Sequence, residues 1–325
     1  MIIPTEPDQN GWSGVSLERL AGQLGRLRQT PSTHQPFVTE RAQTECVKRN
    51  GNYFKRSGVN DGVGVNSACV EERFVVTLTY FPSLNMKTLM VFDFDDTVVD
   101  DNSDTWVIRC LPSNTLPDSV KNSYRKGHWT EFMGRVMSYI GDQKVTPEGI
   151  RSVMETIPFA PGMTDLLTFI SDHKSTIDCI VISDSNTLFI DWILQASGLQ
   201  AAVDRVFTNP AKFNELGYME VRCHHSHDCE RCPVNLCKRK VLQLFLSEQC
   251  ARGVEYQRVV YAGDGGNDLC PTSCLGERDV VMPRKGFTLE KLLAKLEDDA
   301  PLSARVVAWS SGTAILEELK ASMQS

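Results

Sequence analysis

Three apolar runs of strand length each end in a cluster of polar residues, and this constrains the fold more than any other feature. Residues 88–94 run into Asp93-Phe94-Asp95-Asp96-Thr97, residues 177–182 into Ser183-Asp184-Ser185-Asn186, and residues 258–262 into Gly263-Asp264-Gly265-Gly266-Asn267-Asp268. Segments of helical spacing lie between them: 119–140, with Tyr124, Phe132, Val136 and Tyr139 on one stripe, then 147–156, 163–173, 186–197 and 238–246. Gly198 suits the left-handed end of the fourth of these helices, and 279–282 and 304–309 read as further short strands. Strands alternating with helices predict an α/β fold with a parallel sheet covered on both faces. Such sheets carry their chemistry at the carboxyl ends of the strands.

The chain has 325 residues, enough for one sizeable core and an insert. Its net charge of −7 leaves no basic footprint for nucleic acid. No apolar run approaches the roughly 18 residues that cross a bilayer, so no membrane partner is expected. The start, MIIPTEPDQNGW, has acids where a secretory signal carries a basic flank. Eleven cysteines scattered through such a chain suit free thiols in a reducing, cytoplasmic setting.

Residues 1–85 read as a poorly ordered extension. Leu17, Leu20, Leu24 and Leu27 share a helical face. A short helix on a loose extension is the plainer reading; a partner-docking helix or an organelle address is the sharper one. Glu6, Asp8 and Glu18 argue against the address.

The polar strand ends form a constellation. Along an extended strand Asp93 and Asp95 point the same way, and carboxylates that close repel, raising at least one pKa. A divalent cation would relieve the repulsion; an acidic turn capping a helix is the competing reading. Ser183, with backbone N–H groups at a helix start, makes an anion site or a plain cap. Asp264 and Asp268 offer hard oxygen ligands suited to Mg²⁺. Lys238 at a helix start is a counter-charge for a phosphoryl group, with Lys240 as a competitor.

The order DFDDT, ISDSN, a helical Lys and GDGGND resembles the haloacid dehalogenase-like (HAD) superfamily of aspartate-nucleophile phosphatases. Within it, VFDFDDTVVDDNSDTWV, SYRKGHWTEFMGRV, CIVISDSNT, CERCPVNLCK, YAGDGGNDLCP and VVMPRKGFT are similar to the group of phosphoethanolamine/phosphocholine and pyridoxal-phosphate phosphatases. ISDSN, NLCK and GDGGND look nearer to the pyridoxal-phosphate members. The resemblance covers residues 86 to about 310; Met86 stands where the family's chains usually begin, so the extension reads as an alternative start or a gene-model artefact, which an intact mass would decide.

That resemblance implies a Rossmann-like core with an inserted helical (C1-type) cap at about 104–157, within a domain of 86–325. The 90 residues between Asp93 and Ser183 are far more than one crossover needs. It implies a Mg²⁺-dependent phosphomonoester hydrolase with Asp93 as nucleophile and Asp95 as general acid and base. Asp93, the Asp95 carbonyl and Asp264 would hold Mg²⁺, with Asp268 and Asn267 supporting them. Ser183 and Lys238 would bind the phosphoryl oxygens, and Asp104 and Asp184 the leaving group. For those last two, helix capping and loop polarity are the competing reading. The implied partner is a small phosphorylated metabolite, pyridoxal 5′-phosphate foremost and phosphoethanolamine or phosphocholine next. A catalytically silent HAD-fold binding protein is the alternative from another class.

Cys223, Cys229, Cys232 and Cys237, interleaved with His224, His225 and His227, have metal-like density. A Cys-x2-Cys pair with a third Cys and a His could hold Zn²⁺. The spacing matches no standard finger, however, so packing that positions Lys238 is the default reading, with zinc or redox sensitivity left open.

Overall fold

The structure is a computed structural model that describes residues 45–49, 52–56, 87–296 and 301–324. The leucine stripe at Leu17–Leu27 lies outside the described residues, as does the expected disorder of most of 1–85. Within that stretch, β1 (Glu45–Arg49) and β2 (Asn52–Arg56) pair antiparallel.

Six parallel strands form the main sheet. In chain order they are β3 (Lys87–Phe92), β4 (Ile177–Asn186), β5 (Arg205–Asn209), then β8 (Tyr256–Gly263), β9 (Val280–Pro283) and β10 (Arg305–Val306). Across the sheet the order is β10-β9-β8-β3-β4-β5. The first strand of this sheet therefore lies in its interior: β4 adds on one side of β3 and β8 on the other. This reversal of direction is the switch point at which α/β sheets place ligands. A small antiparallel pair, β6 (Ala211–Phe213) with β7 (Met219–Val221), follows β5.

Strand alternation divides the core. Met90 and Phe92 join one apolar cluster, which includes Leu166, Leu167 and Ile170 of the helix Met163–Asp172 and Ile315 and Leu319 of Gly312–Gln324. Leu89 and Val91 point the other way, into a cluster with Val241, Leu242 and Phe245 of Lys238–Ala251 and Leu289 and Leu293 of Thr288–Leu296. A period of two with both faces buried is why the run TLMVF has no polar member after Thr88.

The helices Ser103–Trp106, Asp118–Lys121, Trp129–Asp142 and Pro147–Met154 lie between β3 and β4. The single helix expected over 119–140 is two, broken by a turn at Gly127, whose φ is 82°. Tyr124 thereby falls on the connecting loop, while Phe132 and Val136 are buried. Thr146 starts the last of these helices by accepting from Gly149 N at 3.2 Å, with Pro147 in the first turn. Phe132, Val136, Met137, Ile140, Ile150 and Met154 pack into the Met90–Phe92 cluster. The insert is thus seated on the sheet's apolar layer. Among the described residues, no helix is long and apolar enough to cross a membrane.

Candidate active site

The carboxyl ends of the adjacent strands β8, β3 and β4 bring the predicted residues together. β3 stops at Phe92, and residues 95–98 form a turn rather than continuing the strand. Asp96 takes a left-handed conformation there (φ 52°), one that Asp tolerates better than most residues. Its backbone is held by Asp101 O at 3.2 Å and by Arg284, which donates to Asp96 O at 2.7 Å. The turn replaces the single strand face expected to carry Asp93 and Asp95, although Asp93 still adds to the raised pKa of Asp95. Asp104 acts on Asp95 more strongly than Asp93 does.

Asp93 is 6% exposed and meets Lys238, whose ammonium donates to Asp93 Oδ2. The same Nζ donates to Asp268 Oδ1 at 2.8 Å, and Lys238 itself is 1% exposed. Lys240, the competing candidate, is an exposed residue paired with Asp228 at 2.7 Å. Lys238 is therefore the lysine of the site.

Asp268 is fully buried and saturated with donors. Besides Lys238 it accepts from Tyr261 Oη at 2.6 Å, from Asp264 N at 3.1 Å and from Gly265 N at 2.9 Å. Gly263 permits this closeness, because a Cβ there would sit 2.5 Å from Asp268 Cγ. Asp264 accepts from Thr97 Oγ1 at 3.1 Å. Carboxylate oxygens of Asp93, Asp264 and Asp268 all lie within 4.8 Å of one another.

Burial pushes the Asp93 carboxyl up to about 8, against the pull of Lys238 and with a further push from Asp268. Burial likewise raises Asp264 well above the carboxylate range, helped by Asp93 and Asp268. For Lys238 burial opposes the charge, but Asp268 and Asp93 outweigh it and hold the ammonium protonated. One lysine against two buried acids and a half-buried third leaves the cluster short of positive charge.

Asp95 accepts from Ser103 N and Ser103 Oγ, both at 3.0 Å, and Ser103 Oγ bonds Ser185 Oγ at 2.7 Å. Its pKa is raised by burial and then by Asp104, with the serine bonds opposing. Asp104 accepts from Trp129 Nε1 at 2.7 Å, and burial raises it to about 7. It is no helix cap; Asn102 fills that position, accepting from Thr105 N at 3.1 Å. Asp184 accepts from Asn235 Nδ2 at 2.7 Å and from Asn267 Nδ2 at 2.5 Å. A cleft is lined by Asp95, Asp104, Asp184, Tyr124, Trp129 and Asn235, joining the helical insert to the strand ends.

Ser183 departs from its expected setting. β4 continues to Asn186, which caps the next helix, Thr187–Ala196, by accepting from Phe189 N at 3.1 Å. Ser183 is thus a buried strand residue whose Oγ accepts from Ser185 N at 3.1 Å, not a helix-start residue.

The donor set fits a hard divalent cation. Asp93 and Asp264 offer clustered oxygens in a pocket with excess negative charge. Asn267 Oδ1 is buried with no donor, an orphan that a hydrated cation can satisfy. Ser103, Trp129, Tyr261 and Asn235 were not singled out from the sequence. All four stand inside the motif stretches, but what Ser103 and Tyr261 touch is set only once the turn and the strand end are folded.

Buried carboxylates gathered around a lysine at the switch point of a parallel α/β sheet define a site of the HAD phosphatase class. The chain belongs to the Putative Phosphatase family, whose model matches residues 88–323, and it is a phosphatase. It is 51% identical to the pyridoxal phosphate phosphatase PHOSPHO2 of Bos taurus over 236 residues, covering 72% of this chain and 98% of that protein. The Homo sapiens protein of the same name is 50% identical over the same shares of both chains. The Homo sapiens phosphoethanolamine/phosphocholine phosphatase is 38% identical, over 73% of this chain and 90% of that one. A substrate-bound phosphoserine phosphatase structure aligns with a TM-score of 0.48 at 16% identity, covering 71% of this chain and 98% of that one.

Proposed function

We propose that this phosphatase hydrolyses pyridoxal 5′-phosphate through an aspartyl-phosphate at Asp93, with Mg²⁺ as cofactor. The observation that carries the reading is the pairing of Asp93 with a buried Lys238 beside an Asp95 held by Ser103.

In this reading Asp93 Oδ attacks phosphorus while the P–O bond to the leaving group breaks. Asp95, its pKa raised, donates its proton to the departing oxygen. It then takes a proton from water, which attacks phosphorus and frees the Asp93 carboxylate and inorganic phosphate. Lys238 and the Ser183 hydroxyl hold phosphoryl oxygens as charge spreads over them. Asp268, saturated by Lys238, Tyr261 and two backbone N–H groups, keeps the lysine aimed. Mg²⁺, held by Asp93, the Asp95 carbonyl and Asp264, would supply charge neutralisation that lets the phosphate dianion enter a pocket of acids.

The helical insert acts as a cap that closes over a small substrate and excludes water. Its contribution to the cleft supports a nitrogen-bearing leaving group: Asp104 with Asp184 for a positive charge, and Tyr124 and Trp129 for a flat ring. Trp129 and Tyr124 rings meet edge to face at 5.8 Å, an arrangement against which a pyridine can pack. An ammonium leaving group would use the acids without the rings, so phosphoethanolamine and phosphocholine are the second reading. Eight cysteines among the described residues are free thiols, in keeping with a cytoplasmic setting.

The test is a competition panel of pyridoxal 5′-phosphate, phosphoethanolamine, phosphocholine and phosphoserine at saturating Mg²⁺, reported as relative kcat/KM. Pyridoxal 5′-phosphate is expected to lead. A lead by either amine ester overturns the substrate assignment while leaving the chemistry at Asp93 intact.

A further inference from the structure

The cysteines singled out in the sequence do not gather as the sequence grouped them. Cys223 is exposed and stands outside the cluster. The fourth member is instead Cys270, in the short helix Leu269–Thr272 that follows the third motif. The Sγ atoms of Cys229, Cys232, Cys237 and Cys270 all lie within 4.8 Å of one another.

We propose that Cys229, Cys232, Cys237 and Cys270 bind one Zn²⁺ as a closed four-thiolate site that ties the loop leading to Lys238 to the helix following Asp268. Zn–S bonds of about 2.3 Å in a tetrahedron place neighbouring sulfurs about 3.8 Å apart. Cys229 Sγ is 3.6 Å from Cys232 Sγ and 3.8 Å from Cys270 Sγ. A disulfide requires about 2.05 Å, so neither pair is bonded.

The nearby histidines are committed elsewhere. His227 Nε2 meets Pro233 O at 2.7 Å while its Nδ1 accepts from Cys229 N at 3.2 Å. His225 Nε2 accepts from Cys237 N at 3.3 Å, and His224 Nδ1 meets Thr208 O at 2.9 Å. They shape the loop and leave ligation to sulfur. This corrects the expected set of three cysteines and a histidine.

The charge around the cluster suits the bound form. Four thiolates and one Zn²⁺ carry a net −2. Among the described residues Arg239 Nε, two positions after Cys237, is buried with no acceptor, a cation placed beside that charge. Zn²⁺ binding releases the thiol protons to solvent and transfers no electrons. Four protein ligands leave no open position, so the site is structural.

Its place in the chain gives it a consequence. Cys237 is the residue before Lys238, which opens a 14-residue helix, and Cys270 follows Asp268 by two positions. The ion pair between Lys238 and Asp268 at 2.8 Å and the metal would join the same two elements at neighbouring points. Asn235, which holds Asp184, sits on the loop thus pinned.

The test uses the full chain, purified reduced, stripped of metal and supplied with Zn²⁺ alone. Native mass spectrometry is expected to find one tightly held zinc per chain, and a thiol titration of the native protein to lose four reactive groups. Cys223→Ser is expected to keep the zinc and Cys270→Ser to bind it at least about tenfold more weakly. Co²⁺ in place of zinc is expected to give the intense charge-transfer bands of a tetrahedral thiolate site in the unaltered chain, a readout that survives any misfolding of the variant. Absence of bound zinc, cobalt bands without thiolate character, or unchanged zinc affinity in Cys270→Ser would each overturn the proposal.

Discussion

The acids at the strand ends and the thiols behind Lys238 are neighbouring clusters that share the segment following β8, yet they solve opposite problems. Asp93, Asp264 and Asp268 are oxygen donors pressed together in a buried pocket with Lys238 as their buried counter-ion. Asp268 is saturated by four donors, while Asp93 and Asp264 keep free lone pairs. That incomplete satisfaction leaves room for a cation and a phosphate to come and go. The sulfur cluster has four donors within 4.8 Å of one another, and as the proposed four-thiolate site it would leave no vacancy for a substrate. On the proposed readings, one site is left unfinished for turnover and the other is complete for support.

Substitution at the oxygen site has the largest expected effect. Asp93→Asn keeps the shape but weakens the nucleophile, and kcat for pyridoxal 5′-phosphate is expected to fall by about a thousandfold or more. Asp95→Asn is expected to lose about 10²–10⁴-fold with an alkyl phosphate but markedly less with an aryl phosphate, whose leaving oxygen needs no proton. Steady-state phosphate release with both substrates checks both; an equal loss on the two esters removes the general-acid assignment.

Metal withdrawal separates the clusters. Exchange into Mg²⁺-free buffer is expected to bring turnover to background, recover on adding Mg²⁺ and leave the zinc content unchanged. Blocking the thiols with a mercurial is expected to release zinc and lower the melting temperature even with Mg²⁺ present. Calorimetry alongside the assay reads both outcomes.

The two lysines on the helix Lys238–Ala251 give the next contrast. Lys238→Met strands two buried carboxylates and is expected to cost about 3–5 kcal/mol and nearly all activity. Lys240→Ala removes only an exposed pair with Asp228 and is expected to change neither melting temperature nor kcat measurably.

A pH dependence at Asp104 sharpens the comparison further. Its folded pKa, near 7, lies above the unfolded value of about 3.9, so its burial costs nothing at pH below the unfolded value. As pH rises from there through 7 the unfolded state ionises first, and stability is lost. Asp104→Asn, which cannot ionise, is expected to match the parent at low pH and to gain on it by up to about 4 kcal/mol above pH 7, less the weakened bond from Trp129. Denaturant melts across pH 4 to 8 test the sign. The same ionisation is expected to lower KM for an amine-bearing substrate as pH passes 7, and that limb should vanish in the variant.

Much of this contrast was legible before folding, for a physical reason. Strand periodicity and the turn residues after it are local signals, and Asp93, Asp95, Ser183, Asp264 and Asp268 all follow apolar runs, while Lys238 stands at a helix start. What the sequence could not show depends on long closures. Ser103 reaches Asp95 only because residues 95–98 turn, and Tyr261 meets Asp268 only across the end of its own strand. Cys270 joins Cys237 across a helix and a strand. Reading the cysteines by spacing gathered Cys223, which is near in sequence, and missed Cys270, which is near in space. Helix starts misled in the same way: Ser183 looked like one because β4 runs four residues further than its apolar run.

The most direct test of the account is to trap the enzyme during turnover. Acid quenching under saturating substrate and Mg²⁺, followed by borohydride reduction and peptide mass mapping, converts an aspartyl-phosphate to homoserine. The account predicts homoserine at position 93 and at no other aspartate. Unmodified Asp93 in an enzyme quenched while demonstrably turning over, or homoserine at Asp95, Asp264 or Asp268 instead, would contradict it.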